Sequence, residues 1–202
     1  DNGYPTTPGA YDITFSGPPA FGNTDVVVTK FNATGTTLLF STYLGGSGSE
    51  IVTSLIVDQN NNVFLYGATG SANFPTTVGA YDNTFNGGNY LFFMFNGTEF
   101  TNGTDIFVSK FNPTGTTLMG STYVGGSDND GVNYTNAVVT YTVAYSGTVT
   151  PGGPTSTAAC VSTGGNFTLN EHKADSLQFN YGDQYRGEIQ LDKNGNVYIA
   201  SS

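Results

Sequence analysis

Residues Thr104–Gly126, TDIFVSKFNPTGTTLMGSTYVGG, repeat an earlier stretch, Thr24–Gly46, TDVVVTKFNATGTTLLFSTYLGG. Self-similarity at a fixed spacing takes precedence over any local motif, because one repeated unit then sets the architecture and its neighbours bury what it cannot. The unit reads as a hairpin. Asp105–Phe111 is a run of β-branched and aromatic residues, Asn112-Pro-Thr-Gly115 supplies turn chemistry, and Thr116–Val124 returns before Gly125-Gly126 stops the strand.

Two further pairs of words extend the pattern. Tyr4–Phe15, YPTTPGAYDITF, recurs as Phe74–Phe85, FPTTVGAYDNTF, at an offset of 70, whereas Ser41 recurs as Ser121 at an offset of 80. About ten residues are therefore inserted between Phe85 and Asp105, and the added stretch includes Tyr90-Leu-Phe-Phe-Met-Phe95. Leu55–Tyr66 recurs as Ile189–Ala200 at an offset of 134, Asp58 against Asp192, which places a larger insertion between Gly126 and about residue 182. Each of these words is itself a hairpin, and the Asn-Gly step in Asp192-Lys-Asn-Gly-Asn196 favours the positive-φ turn that matches strand twist.

One full repeat thus holds four strands, expected near 51–58, 63–68, 105–111 and 116–124. No stretch shows sustained 3.6-residue apolar spacing with caps, so the fold class is all-β. Four short strands per unit predict β-propeller blades of four antiparallel strands, forming an incomplete ring with two insertions. The division expected is a partial blade over 1–49 and a full blade over 50–126 with a loop insertion at about 86–104. A decoration over 127–181 follows, then the first half of a next blade over 182–202. This phase leads to the expectation of a segment of a longer propeller, or of missing blades supplied by other chains.

The words STYLGG and STYVGG, KFNPTG, DKNGNVYIAS and FPTTVGAYDNTF resemble the seven-bladed β-propeller (SBBP-type) repeat of large secreted and surface proteins of gliding and related Bacteroidota. The resemblance covers nearly everything but the two insertions. It implies propeller blades in exported, often adhesin-like proteins, in the setting of gliding motility and type IX secretion. It implies no activity.

Composition narrows the partners. The 202 residues are 37% hydrophobic and only 10% charged, with 15 acidic against 5 basic side chains and a formal net charge of −10. Lys30, Lys110, Lys173, Arg186 and Lys193 are scattered, so neither a phosphate backbone nor an anionic membrane finds a basic face. The most apolar run, Tyr90–Phe95, is too short to cross a bilayer. Partners expected are other blades of the same longer chain or neighbouring subunits, and surface polysaccharide. Nucleic acid and membrane insertion are not expected, and the location expected is the extracellular cell surface.

Catalytic material is sparse. His172 is the single histidine and reads as a solvated loop residue, and Cys160 is the single cysteine, with no second Cys or His at zinc spacing. No catalytic residue is assigned. Asp25 and Asp105, Asp58 and Asp192, and Lys30 and Lys110 recur at matching places, which assigns them to architecture, since a catalytic group is normally unique. Asp128-Asn-Asp130-Gly131 gathers hard oxygen donors of the kind calcium takes, with Asp183 as a further candidate ligand; Asx-turn chemistry accounts for the same residues without metal.

The parts that do not recur are the candidate contact surface. Tyr90, Phe92, Phe93 and Phe95 place large apolar groups in a connection, to be exposed as a contact patch or buried on the chain's own sheets. Tyr134, Tyr141 and Tyr145 lie in the larger insertion, where Asn136–Tyr145 reads as strand and a folded decoration is expected rather than disorder. The function expected is a non-enzymatic structural or adhesive propeller segment. The alternatives are a polysaccharide-binding or polysaccharide-degrading propeller and a subunit of an extracellular filament or secretion-associated complex.

Overall fold

A computed structural model describes residues 3–17, 23–93, 98–132, 135–143, 165–173 and 187–201. They form twelve strands, all in antiparallel pairs, with no helix among the described residues. In chain order these are β1 (Val26–Phe31), β2 (Leu38–Leu44), β3 (Glu50–Val57), β4 (Val63–Thr69), β5 (Leu91–Phe93) and β6 (Thr98–Phe100). β7 (Asp105–Phe111), β8 (Leu118–Val124), β9 (Thr135–Val143), β10 (Gly165–Lys173), β11 (Gly187–Leu191) and β12 (Val197–Ser201) follow.

The four expected strands of the full repeat assemble into one sheet in the order β3-β4-β7-β8, and β1-β2 and β11-β12 form two-stranded sheets before and after it. Turn residues fix each hairpin. Asn32 Oδ1 accepts the N–H groups of Thr36 and Thr37, and Asn112 Oδ1 does the same for Thr116 and Thr117. Asp58 Oδ1 accepts from Asn60 and Asn62, and Asp192 Oδ1 from Asn194 and Asn196. The αL position of this second turn is Gly195 in one copy and Asn61 in the other. Asn is the non-glycine residue that tolerates that region best.

The Pro-Thr-Thr loops have a role that their wording did not reveal. Thr7 N–H donates to Ser41 O and Tyr43 N–H to Asp12 O, so the first loop lies along the outer edge of β2. Thr77 and Asp82 clasp β8 through Ser121 and Tyr123 in the same way. An open strand edge is a template for unwanted pairing, and these loops cover two of them.

The central sheet is buried on both faces. Val63 and Leu65 of β4 pack with Val26, Val28, Phe40 and Leu44 of the preceding sheet and with Phe74, Phe107, Phe111 and Tyr123. Phe64 and Tyr66 point the other way, into a cluster with Ile106 and Ile189 that Leu191 and Ile199 border. All seven residues of β4 are buried, which explains why its sequence reads as a continuous apolar run rather than an alternation. Gly67 is needed in this strand, because a Cβ there would meet the Ile51 carbonyl oxygen and the Phe107 ring.

Repeat bonding also continues past Gly126, where the decoration was expected to begin. Glu50 N–H donates to Thr24 O while Thr24 Oγ1 donates to Glu50 O, and Asp130 and Thr104 exchange the same two bonds. Gly46 N–H donates to Glu50 Oε2 as Gly126 N–H does to Asp130 Oδ2. Asp130 is thus the counterpart of Glu50 in bonding, although residues 130–132 form no strand and Gly131 has φ +76°. Val132 is buried with Ala68, Leu91 and Phe100.

In β3 the register shifts between Val52 and Ser54, leaving Thr53 as a bulge. β11 resumes at the far side of that bulge, with Glu188 opposite Ala200 as Ser54 is opposite Tyr66. By these equivalences the larger insertion falls at the position of the Thr53 bulge, where the β3 ladder is already interrupted. Glu188 is therefore the counterpart of Ser54 and not of Glu50.

Candidate functional site

Two kinds of place carry chemistry: junctions that recur, and hairpins that do not. At the first junction Glu50 is buried, with Oε1 accepting from the hydroxyls of Thr69 and Ser71 and Oε2 from Gly46 N–H. Asp25 stands beside it, its Oδ2 accepting Ser16 N–H. The two carboxyls meet over Gly45, where a Cβ would come within 2.6 Å of Glu50 Oε2 and 2.7 Å of Asp25 Oδ1. Gly45 has no side chain because two carboxyl groups occupy its place.

The second junction repeats the design at Gly125, whose Cβ would lie 2.7 Å from Asp105 Oδ1 and 3.0 Å from Asp130 Oδ2. Asp105 collects the N–H groups of Asn86 and Gly87. Burial raises the Glu50 pKa to about 7 against the pull of its hydrogen bonds, and the Asp25 charge adds to the rise. Burial also pushes Asp25 and Asp105 up. Glu50 reads from the sequence as a repeat-structural residue near a strand start, and the alignment of GGSGSE with GGSDND at the offset of 80 is the signal that pairs it with Asp130.

That alignment also locates the calcium candidates. Asp130 binds Gly126 N–H as a repeat residue, and Asp128 is exposed on the preceding turn. Asp183 lies outside the described residues. Among the described residues no group of three or more His, Cys, Asp or Glu side chains is arranged to hold a metal.

The Tyr90–Phe95 run divides by face. Leu91 pairs with Phe100 across the β5–β6 hairpin, and both are buried with Ala68 and Val132. Tyr90 and Phe92 are exposed on the other face, where Phe92 stands opposite Glu99 and the Tyr90 hydroxyl bonds to Glu99. Exposure and burial are therefore divided between the two faces of one hairpin. Phe93 closes β5 opposite Thr98, and Phe95 lies outside the described residues.

The larger insertion holds the hairpin β9–β10, with Tyr141 opposite Phe167. β9 coincides with the strand expected over Asn136–Tyr145, while Tyr134 and Tyr145 lie outside the described residues. His172 is a correction. It sits in β10 opposite Asn136 rather than in a loop, because Gly165–Lys173 pairs along its full length despite its polar wording. β10 runs close to β5, so the two inserted hairpins are neighbours.

Antiparallel sheets packed on one another, with the β2 and β8 edges each clasped by its own loop, define an all-β repeat protein. Residues 39–75, from β2 through β4 to the start of the Pro-Thr-Thr loop, match the family model of a beta-propeller repeat, SBBP. The chain carries an SBBP-type β-propeller repeat at those positions. No curated protein and no solved structure matches the chain.

Proposed function

We propose that this chain is a non-enzymatic segment of a β-propeller in an exported bacterial protein, a stiff scaffold that holds two inserted hairpins out for contact. The four-stranded sheet is one blade in this reading, and the flanking pairs are halves of the blades beside it. One observation carries the proposal. Recurring side chains such as Thr42, Thr122 and Thr104 hold edge clasps and a sheet junction, while the exposed aromatic pair Tyr90 and Phe92 belongs to an insertion. Loops on a rigid frame are where binding residues concentrate.

Attachment is then a property of the hairpins and stability a property of the frame. Deleting residues 133–186 and joining Val132 to Gly187 restores an uninterrupted strand, so the shortened protein folds and loses adhesion to its surface. A shortened protein that still adheres overturns the assignment of contact to the larger insertion.

A second reading is favoured by the outer face of β5–β6, where Tyr90 and Phe92 stand with Glu99. Aromatic faces beside a carboxylate suit a sugar ring, so the ligand on the second reading is a surface polysaccharide. Tyr90→Ala with Phe92→Ala would abolish retention on such a polysaccharide without changing the β spectrum. A glycan-active enzyme would in addition lose turnover on Glu99→Gln.

A further inference from the structure

We infer that Asn129 is the positioning residue of the β5–β6 contact surface. Its side-chain amide ties both legs of the inserted hairpin to the frame and so sets the direction in which Tyr90 and Phe92 are presented. This role deepens the polysaccharide reading above and rests on contact being made by that aromatic pair. The two legs are residues 86–90, which lead into β5, and 101–104, which leave β6.

Asn129 stands between them. Its Oδ1 accepts Thr104 N–H at 2.9 Å on the outgoing leg, and its Nδ2 donates to Asn89 O at 3.1 Å on the incoming one. Asn89 directly precedes Tyr90, so the second bond acts one peptide away from the exposed ring. The legs also bond to each other, with Gly88 N–H donating to Asn102 O at 2.8 Å. The amide leaves no room for side chains around it. A Cβ on Gly88 would come within 2.6 Å of Asn129 Oδ1, and one on Gly103 would strike the same oxygen.

The first unit shows what is particular to this arrangement. At the offset of 80, Ser49 takes the place of Asn129 and Asn23 that of Gly103. Ser49 Oγ donates to Asn23 Oδ1 at 3.5 Å, so there the amide belongs to the connection and the small hydroxyl to the turn. The second unit reverses the two sizes. The amide moves to the turn, and glycine opens the connection to receive it. This reversal accompanies the added residues between Phe85 and Asp105. Other bonds at the neck are common to both units. Asp25 accepts Ser16 N–H as Asp105 accepts Asn86 N–H, and Thr24 Oγ1 donates to Glu50 O as Thr104 Oγ1 does to Asp130 O.

A hairpin with three-residue strands is marginal by itself, so its direction has to come from the frame. Leu91 and Phe100 anchor its inner face on Ala68 and Val132, but apolar contact is non-directional. Two hydrogen bonds from one planar amide are directional, and they fix the hairpin against rotation about that anchor. A surface already held in its binding direction loses less freedom when it binds.

The test compares the parent with Asn129→Ser, which installs the residue that the first unit carries, and with Asn129→Asp, which keeps the acceptor for Thr104 N–H and loses the donor to Asn89 O. Nitrogen-15 relaxation reads the order of the 89–92 backbone, and amide exchange in β4 reads the frame. Affinity electrophoresis in gels containing hydroxyethyl cellulose, xylan or glycol chitosan reads contact. Both variants are expected to leave β4 exchange unchanged, to mobilise residues 89–92 and to weaken retardation about tenfold. Thr104 N–H is expected to stay protected in Asn129→Asp and to lose protection in Asn129→Ser. Variants as ordered as the parent, mobile variants that are retarded as the parent is, or a β4 that exchanges faster in both each overturn the inference. A parent that no gel retards rejects the polysaccharide reading and this role with it, whereas ordered variants beside a retarded parent reject the role alone.

Discussion

Glu50→Gln is expected to remove a pH dependence of stability that the parent protein shows between about pH 4.5 and pH 7. The folded-state pKa of Glu50 is raised from 4.5 to about 7, chiefly by burial. A raised carboxyl pKa means that the folded protein holds its proton more tightly than the unfolded chain does. The stabilisation is complete below 4.5 and is lost as pH rises through about 7, where the buried group must ionise. At about 1.4 kcal/mol per unit, the rise amounts to roughly 3 kcal/mol. Glutamine has the shape of the protonated acid and keeps an oxygen for the hydroxyls of Thr69 and Ser71. Urea unfolding of both proteins at intervals from pH 4 to pH 8 reads the difference. The parent is expected to lose about 3 kcal/mol relative to Glu50→Gln across that range. Parallel curves would refute the burial argument, since every other carboxyl is common to the two proteins.

Other substitutions test other parts of the frame. Tyr123 donates its buried hydroxyl to Ser71 O at 2.7 Å and accepts Phe74 N–H at 3.0 Å, so Tyr123→Phe removes both bonds and leaves these two groups only the 3.3 Å bond between them. It is expected to cost about 2–4 kcal/mol in urea unfolding. Gly45→Ala drives a methyl between Asp25 and Glu50 and is expected to lower the melting temperature more at pH 8 than at pH 4.5, where Glu50 is protonated and able to donate. Hydrogen bonds from Asn62 and Asn196 hold Asp58 and Asp192 below the usual carboxylate range. Their contribution is present above the ordinary aspartate pKa and is lost as pH falls below it. Asp192→Asn is therefore expected to destabilise β11–β12 at neutral pH, read as faster amide exchange, and to have no effect at pH 2.

Much of this arrangement was legible because it is written twice. The paired words at 24–46 and 104–126 gave both hairpins, and Asn112, Gly115 and Asp192 announced turns that form as read. The contact between sheets was not legible. In β4 the sequence VFLYGAT offers apolar groups to both faces, so nothing in it says which side meets which neighbour.

The run Tyr90–Phe95 concealed a division of faces for the same reason, since Leu91 and Phe92 are equally apolar and only the packing against Phe100 and Ala68 tells them apart. Asp128-Asn-Asp130 was ambiguous because a calcium loop and an Asx-rich turn use the same oxygen donors. The bond from Gly126 to Asp130 ties the second of these aspartates to the repeat. The position of the insertion at the bulge was hidden too, because Asp130–Val132 is too short a stretch to show alternation on its own.

The central claim is that β3-β4-β7-β8 is a complete repeat unit held between two half-units. Native-state amide exchange measures this directly, since exchange protection follows burial and pairing. β4, paired on both edges and covered on both faces, is expected to exchange only through global unfolding, with β7 close behind it and β12 and β1 opening locally at far lower cost. A β4 that exchanges as fast as β12 would contradict the claim.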